Sequence, residues 1–410
     1  MKIKIAALAA IALSLPTLYA QTPAKPFNIY FIDTEGGLSA LYVSPTGESM
    51  LLDTGNPGDR DVDRIMTVLA DAGVKQIDYM VLTHYHVDHV GGFEALSKKI
   101  PMKHFIDHGE NKDTREQVQG FAAMYADMMQ KAGPGAHTVA TPGYKIPIKG
   151  LEVEVVTAAG QVLKKPMSGE PGAGKPNPEC ANYKKQAENT DLDNAQSLGL
   201  VFQYGKFRTI NMGDFVYNLE GDLMCPNNPI GTIDLYLTSH HGTDQSGSAV
   251  LVHALQPRVA IMHNGTRKGG ALPVYQVLHT SPGLEDLWQL HYAYAGGLEN
   301  NTPGIYIANI EDPVVLGNSL ANPPAAFGGG GAGRGGSGGG GRGGSGGGGR
   351  GAGFAAGGSG GRGAGGGGRG PVGGHTGPAF WIKVSAMPDG SFTVLNTRNN
   401  FSKTYAARKN

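Results

Sequence analysis

Charge of one sign is missing from this 410-residue chain: 34 Lys and Arg balance 34 Asp and Glu, for a formal net charge of zero. That balance supplies no global field to draw it to nucleic acid or to an anionic membrane. Long apolar runs are missing too. One, Ile5 to Leu13, follows Lys2 and Lys4 and leads through Pro16 to the small-residue site Leu18-Tyr19-Ala20. It is too short for the ~20 residues of a membrane span, and no later stretch reaches that length. Residues 1–20 therefore read as a secretory signal cleaved before Gln21, which places the mature chain outside the cell or in the periplasm, without a membrane span. Cysteine is scarce, with only Cys180 and Cys225. Export permits them to pair; two separate thiols, or a Cys225 placed near the site around Asp214, are the other readings. Outside the glycine-rich stretch near the C-terminus there is no Gly-x-Ser-x-Gly, and no cysteine lies beside a base, so nothing marks a side-chain nucleophile. The apolar fraction, 40%, is ample for a core.

What the chain does have is the decapeptide Thr83-His84-Tyr85-His86-Val87-Asp88-His89-Val90-Gly91-Gly92. It sets three imidazoles and a carboxylate within six positions, the donor types that a borderline cation such as Zn²⁺ prefers. Scattered histidines are common as satisfied core or surface groups, but these are not scattered. If 78–84 is a strand, residues two apart leave the same side, so His84 and His86 close on one metal. After a turn, Asp88 and His89 point at a second position.

Around it the chain alternates strands and helices. Short strands are expected at 28–32, 39–43 and 49–52, with a helix over 61–72 whose Val62, Ile65, Met66 and Leu69 share a face. A helix over 113–132 aligns Val118, Phe121, Tyr125, Met128 and Met129, methionines that read as core packing rather than a cofactor box. Strands follow near 138–139, 144–148 and 151–157. Residues 158–195 read as one long loop, in which Lys164, Lys165, Lys175, Lys184 and Lys185 either meet an anionic substrate or simply face solvent. A hairpin over 197–204 and 207–212 ends in Gly213-Asp214. A strand at 233–237 runs into His240-His241-Gly242, and a helix over 249–255 and a strand at 259–263 come next. Ligand types thus sit repeatedly beyond strand ends, where α/β folds build their sites.

Residues 328–377 are a Gly/Arg-rich insertion, with Arg334, Arg342 and Arg350 recurring every eight residues and almost nothing to bury. Arg-Gly-Gly tracts can bind nucleic acid, but Phe354 is nearly alone among aromatics, so a flexible loop is the better reading. It interrupts the domain of residues 21–327, onto which the hairpin of residues 378–410 packs back; so short a tail cannot form its own core.

Asp53 in Leu-Leu-Asp-Thr-Gly, the decapeptide, Gly213-Asp214 and a late histidine together resemble the metallo-β-lactamase fold superfamily over about residues 27–265. The resemblance implies an α/β, four-layer αββα sandwich with a dinuclear zinc centre along one edge. His84 and His86 would hold the first metal, Asp88 and His89 the second, and Asp214 would bridge. His240 or His241 would complete the ligand set of the second metal, and Asp53 would orient the metal loops rather than bind. Many members carry a further first-site histidine just before the hairpin. Here that stretch reads Asp191-Leu192-Asp193-Asn194-Ala195-Gln196-Ser197. Its Asn-x-x-Ser pattern, with the later His-His-Gly, resembles the competence-protein (ComEC-like) and phosphorylcholine-esterase branch. Asn194 then stands near the first metal as a weaker ligand or donor, and His108 is an alternative source of the missing nitrogen.

Two zinc ions ~3.5–4 Å apart can share a hydroxide that attacks an ester-type substrate. The ligand set also admits iron or manganese. Asp88, His240 and His241 are the residues expected to serve the chemistry directly, the non-ligand histidine meeting substrate or giving a proton. The segments 262–270, with His263, Asn264 and Lys268, and 291–294 are expected to shape a pocket for a small-molecule ester, or else to be a surface loop and packed aromatics. Phosphodiester or phosphoester hydrolysis leads on the branch resemblance, ahead of lactone or amide (β-lactam-like) hydrolysis. A non-catalytic metal-binding envelope module and a di-iron redox protein are the other classes, the latter without any flavodoxin-like partner domain in the sequence.

Overall fold

The computed structural model describes residues 24–187, 191–310 and 377–408. The expected signal and nearly all of the Gly/Arg-rich segment lie outside them. In chain order the first half runs β1 (Phe27–Phe31), β2 (Ala40–Val43), β3 (Ser49–Leu52), α1 (Asp59–Asp71), β4 (Ile77–Val81), α2 (Val87–Val90), α3 (Phe93–Ser97), β5 (Met102–Asp107), α4 (Glu116–Ala132) and β6 (His137–Val139). The second half runs β7 (Glu152–Ala158), β8 (Gln161–Val162), β9 (Lys175–Pro176), α5 (Leu192–Ala195), β10 (Gly199–Tyr204), β11 (Phe207–Asn211), α6 (Tyr217–Met224), β12 (Asn227–Asn228), β13 (Leu235–Leu237), α7 (Ala249–Leu255), β14 (Val259–Met262), α8 (Leu272–Thr280), β15 (Asp286–His291), α9 (Gly297–Asn300) and β16 (Ile307–Asn309). The closing strands are β17 (Ile382–Ala386), β18 (Phe392–Asn396) and β19 (Phe401–Tyr405).

Two large sheets result, ordered β19-β18-β17-β1-β2-β3-β4-β5-β6 and β16-β15-β14-β13-β11-β10-β7-β8. Strand alternation explains how they stack. In β1, Phe27, Ile29 and Phe31 turn to a core shared with Phe202, Leu235 and Ile261 of the second sheet. Tyr30 and Ile32 turn the other way, onto Val62, Ile65 and Leu69 of α1 and Phe93 of α3. The second sheet does the same with Val201, Ile210 and Tyr236 against α6, α7 and α8. Strands buried on both faces read as nearly continuous apolar runs. The layers are therefore helix, sheet, sheet, helix, the expected αββα sandwich.

Several local expectations are corrected. The strand expected over 78–84 stops at Val81, so His84 and His86 converge from a loop and not from one strand face. The expected strand at 144–148 reduces to a single bridge, Lys145 to Glu154. The long loop 158–195 contains β8, β9, a 3₁₀ turn and α5, and Cys180 is disulfide-bonded to Cys225. The C-terminal hairpin gains a third strand, β19, paired along β18. Among the described residues no helix is long and apolar enough to cross a membrane.

Candidate metal centre

β3, β4 and β5 run parallel, as do β11, β13, β14 and β15. Their carboxyl ends therefore deliver side chains to one edge of the sandwich. Just past β3, Asp53 adopts a left-handed backbone (φ 56°). Its buried carboxylate accepts the Thr83 N–H (2.8 Å) and the Thr83 hydroxyl (2.6 Å). That capture ends the β4 extension and turns the chain into His84–His89.

The donors then fall into two groups that share Asp214. Asp88, His89, Asp214 and His241 bring ligand atoms within 4.8 Å of one another, and so do His84, His86 and Asp214. In the first group His89 Nε2 lies 3.3 Å from His241 Nε2, and each is 3.3 Å from Asp214 Oδ2. In the second, His84 Nε2 faces His86 Nδ1 at 3.1 Å and Asp214 Oδ2 at 3.9 Å. Imidazole nitrogens aimed at one another around a carboxylate fit a cation between them. Asp214 Oδ1 adds to that fit, being buried with no hydrogen-bond partner, a demand that a metal ion would satisfy.

Outer contacts fix the rings. His89 Nδ1 meets Asp53 Oδ2 at 2.8 Å, and His241 Nδ1 meets the His263 carbonyl at 3.2 Å; such partners set which nitrogen faces a metal. Ser197 Oγ accepts the Asp214 N–H (3.2 Å), which gives the serine of Asn-x-x-Ser a task. Gly213 lets this loop approach closely: with φ 53°, a Cβ there would lie 2.8 Å from Thr83. The His240 N–H in turn donates to the Gly213 carbonyl. His240 and His241 both hold left-handed backbone (φ 51° and 57°), a strain that a packed site tolerates.

The charges answer to this crowding. Burial, with His89 and His86 adding to it, drives the His84 imidazole well below its usual range. Against burial, Asp214, Asp88 and Asp53 hold His89 well above its own. Against burial again, His240, His241 and His89 hold the Asp214 carboxyl well below the carboxylate range. Burial lowers His240 to about 4, so at neutral pH its ring is uncharged. It stands 3.3 Å from Asp214 Oδ2, outside either ligand group, whereas His241 is inside one.

The remaining sequence candidates are placed as follows. Asn194 is buried, its Oδ1 without a partner. His108 stacks on Tyr85 at 4.8 Å between ring centroids and joins neither group. Its burial, which lowers it to about 4, makes it part of the wall. His263 and Asn264 are buried in the loop itself: His263 Nε2 meets the Ser39 carbonyl, and Asn264 bonds the backbone of Gly265 and His291. Both side chains are thus engaged with backbone groups, Asn264 on either side of the loop and His263 through one nitrogen only, its Nδ1 being buried with no hydrogen-bond partner. Lys268 faces the donor groups, ion-paired with Asp88. Arg115 and Asp191, which the sequence did not mark as site residues, surround His86 Nε2. Their partners come together only in space, and no local signal announces them.

Residues 33–169 match the family model described as Metallo-beta-lactamase superfamily. The chain is 34% identical over 108 residues to a protein called Beta-lactamase-like protein 2 homolog from Caenorhabditis elegans, covering 25% of this chain and 36% of that one. It is 22% identical over 269 residues to Recombination protein 2 of Haemophilus influenzae, covering 64% of this chain and 27% of the other. The matches thus span well under half the length of both curated relatives. Among solved structures, the metallo-beta-lactamase fold protein YhfI from Bacillus subtilis overlays 64% of this chain and 96% of its own, at 12% identity and a TM-score of 0.37.

Proposed function

We propose that this chain, whose residues 33–169 match the Metallo-beta-lactamase superfamily model, is an exported, binuclear zinc-dependent hydrolase of ester-type substrates, phosphodiesters or phosphoesters foremost. The observation that carries the reading is the pair of donor groups hinged on Asp214. His84 and His86 would hold one ion, Asp88, His89 and His241 the other, with Asp214 between them. When bound, two zinc ions supply Lewis-acid polarisation of the scissile group and a water that ionises near neutral pH.

The protein's own part is placement. Asp53 and the His263 carbonyl aim His89 and His241, and Asp53 with Thr83 sets the loop on which His84 and His86 sit. Neutral His240, beside Asp214, offers a hydrogen bond to a substrate oxygen. Half-exposed Lys268 and Arg115 stand at opposite groups of donors and suit a negatively charged substrate. Phosphoester chemistry is favoured by the Asn194-x-x-Ser197 and His240-His241-Gly242 pattern, and by a first site whose described donors are two histidines and the shared Asp214. The likeness to Recombination protein 2 covers 64% of this chain and agrees with that branch. Export is supported by the residue 1–20 pattern and by the Cys180–Cys225 disulfide, a bond that oxidising compartments sustain.

The test is zinc content of the purified full-length protein together with a panel of phosphodiester, phosphomonoester, lactone and β-lactam substrates. About two zinc ions per chain and phosphodiester turnover are expected. Less than about one zinc per chain with no turnover on any substrate overturns the reading.

A further inference from the structure

We infer that Lys268 and the second metal ion compete for the same carboxylate oxygen of Asp88, so that Lys268 sets the affinity of that site. The inference rests on the binuclear reading above. Lys268 Nζ is ion-paired with Asp88 Oδ2. That is also the oxygen 3.6 Å from His89 Nε2 and 3.5 Å from His241 Nε2, the one that converges with the two histidines of the Asp88 donor group. An ammonium and a dication on one carboxylate oxygen repel each other, and in a partly desolvated cleft that repulsion is strong. One must yield. The lysine has a way out, since its side chain is 38% exposed.

The loop that presents Lys268 is built to keep it there. Asn264 is held by three backbone contacts, and the Gly265 N–H donates to the Lys268 carbonyl (2.9 Å). Glu35 accepts the Thr266 N–H (3.0 Å) and hydroxyl (2.5 Å). Glu35 is in turn steadied by His291, 3.3 Å away, which also meets Asp33 at 2.6 Å. Asp33, Glu35 and His291 lie close enough to hold a cation themselves, but Arg64 already sits 2.9 Å from Asp33, and their geometry braces the lysine loop instead. Next to Lys268, Gly269 (φ 84°) presses so close that a Cβ would lie 1.9 Å from the His241 carbonyl oxygen. The backbone bearing the ammonium and the backbone bearing His241 therefore move as one. A lysine on a free loop would not compete steadily; this one is fixed.

Stepwise zinc affinity of the full-length protein, measured by chelator competition for wild type, K268M and K268R, decides the matter. K268M keeps the stem and removes the charge, so one of the two steps, the one that fills the Asp88 site, tightens about tenfold or more while the other stays put. K268R keeps the charge and both wild-type steps. An unchanged step shows that the variant is folded. Two zinc ions in every form with both steps indistinguishable overturn the competition and leave the binuclear reading standing. A single zinc in every form overturns both.

Discussion

Asp53 touches no candidate metal position, yet it holds two things at once: the Thr83 turn through Oδ1 and Oδ2, and the His89 ring through Oδ2. Against burial, which raises its carboxyl, the His89 imidazole is what favours the charged form. D53N keeps the shape and removes the charge, offering His89 an amide in place of an anion. The expected outcome is a loss of roughly 10–100-fold in affinity for the second zinc, read by chelator titration, with a smaller change at the first. Equal loss at both sites would mean that Asp53 acts through the Thr83 turn alone.

Between elements, the support of the His240-His241 turn is the feature to probe. Glu220 on α6 is buried and accepts the N–H groups of Gly247 and Ser248, both at 2.8 Å, at the start of α7. Ser246, in the same turn, binds the Phe215 carbonyl (2.6 Å) and reaches His240 Nδ1 at 3.5 Å. Burial raises the Glu220 carboxyl from 4.5 to about 7. Below pH 4.5 both folded and unfolded forms carry the proton and nothing is lost. Between 4.5 and 7 the unfolded chain releases it while the fold retains it, so stability falls as pH rises, by about 3 kcal/mol once pH passes 7. Urea unfolding of E220Q across pH 4 to 8 should lack that slope; a parallel pair of curves would show Glu220 ionised in the fold. The Cys180–Cys225 disulfide ties the stretch before α5 to the end of α6 across 45 residues of sequence. Chain-entropy arguments give it about 4 kcal/mol, so the C180S/C225S double variant should unfold at distinctly lower urea concentration.

Elements were legible where their pattern is local. β1, β2, β3, α1 and α7 fall within a few residues of where alternation and helical spacing put them, because each buries its apolar residues against layers on fixed sides. α8, β15 and β16 were not read: Leu272-Pro273 opens a short helix without a capping side chain, and β15 becomes a strand by pairing parallel to β14. Site residues split along the same line. His84, His86, Asp88 and His89 announce themselves within one decapeptide. Asp214 and His241 were legible as strand-end residues, but that His241 and not His240 stands within a donor group depends on two successive left-handed residues that no pattern shows. Glu35, which steadies the Lys268 loop from 231 positions away, has no sequence signal at all.

At the scale of the molecule, the chain's last strands are structural. β17 pairs with β1 along its whole length, and Phe392 and Tyr405 belong to the core between the sheets. Trp288 of β15 donates to the Tyr405 hydroxyl (3.0 Å), which locks the second sheet to the same tail. Truncation after residue 377 should therefore abolish folding, seen as loss of a cooperative urea transition. Replacing residues 312–376 by a short linker should preserve both the transition and zinc binding. The points flanking that segment already meet, the Phe380 N–H donating to Asn309 Oδ1 and Asn309 Nδ2 to the Phe380 carbonyl, each at 2.9 Å.

The same β1–β17 pairing has a consequence in time. β1 is among the first described residues to leave the ribosome, and it lies inside the nine-stranded sheet with β17 on one side and β2 on the other. Its second neighbour is made only after every other strand of that sheet except β18 and β19. Until then β1 is the open edge of the sheet it shares with β2 to β6, and contacts that bridge such distances form late and slowly. A nascent chain that stops before β17 should therefore remain protease-sensitive, and resistance should appear only in chains that carry β17 to β19.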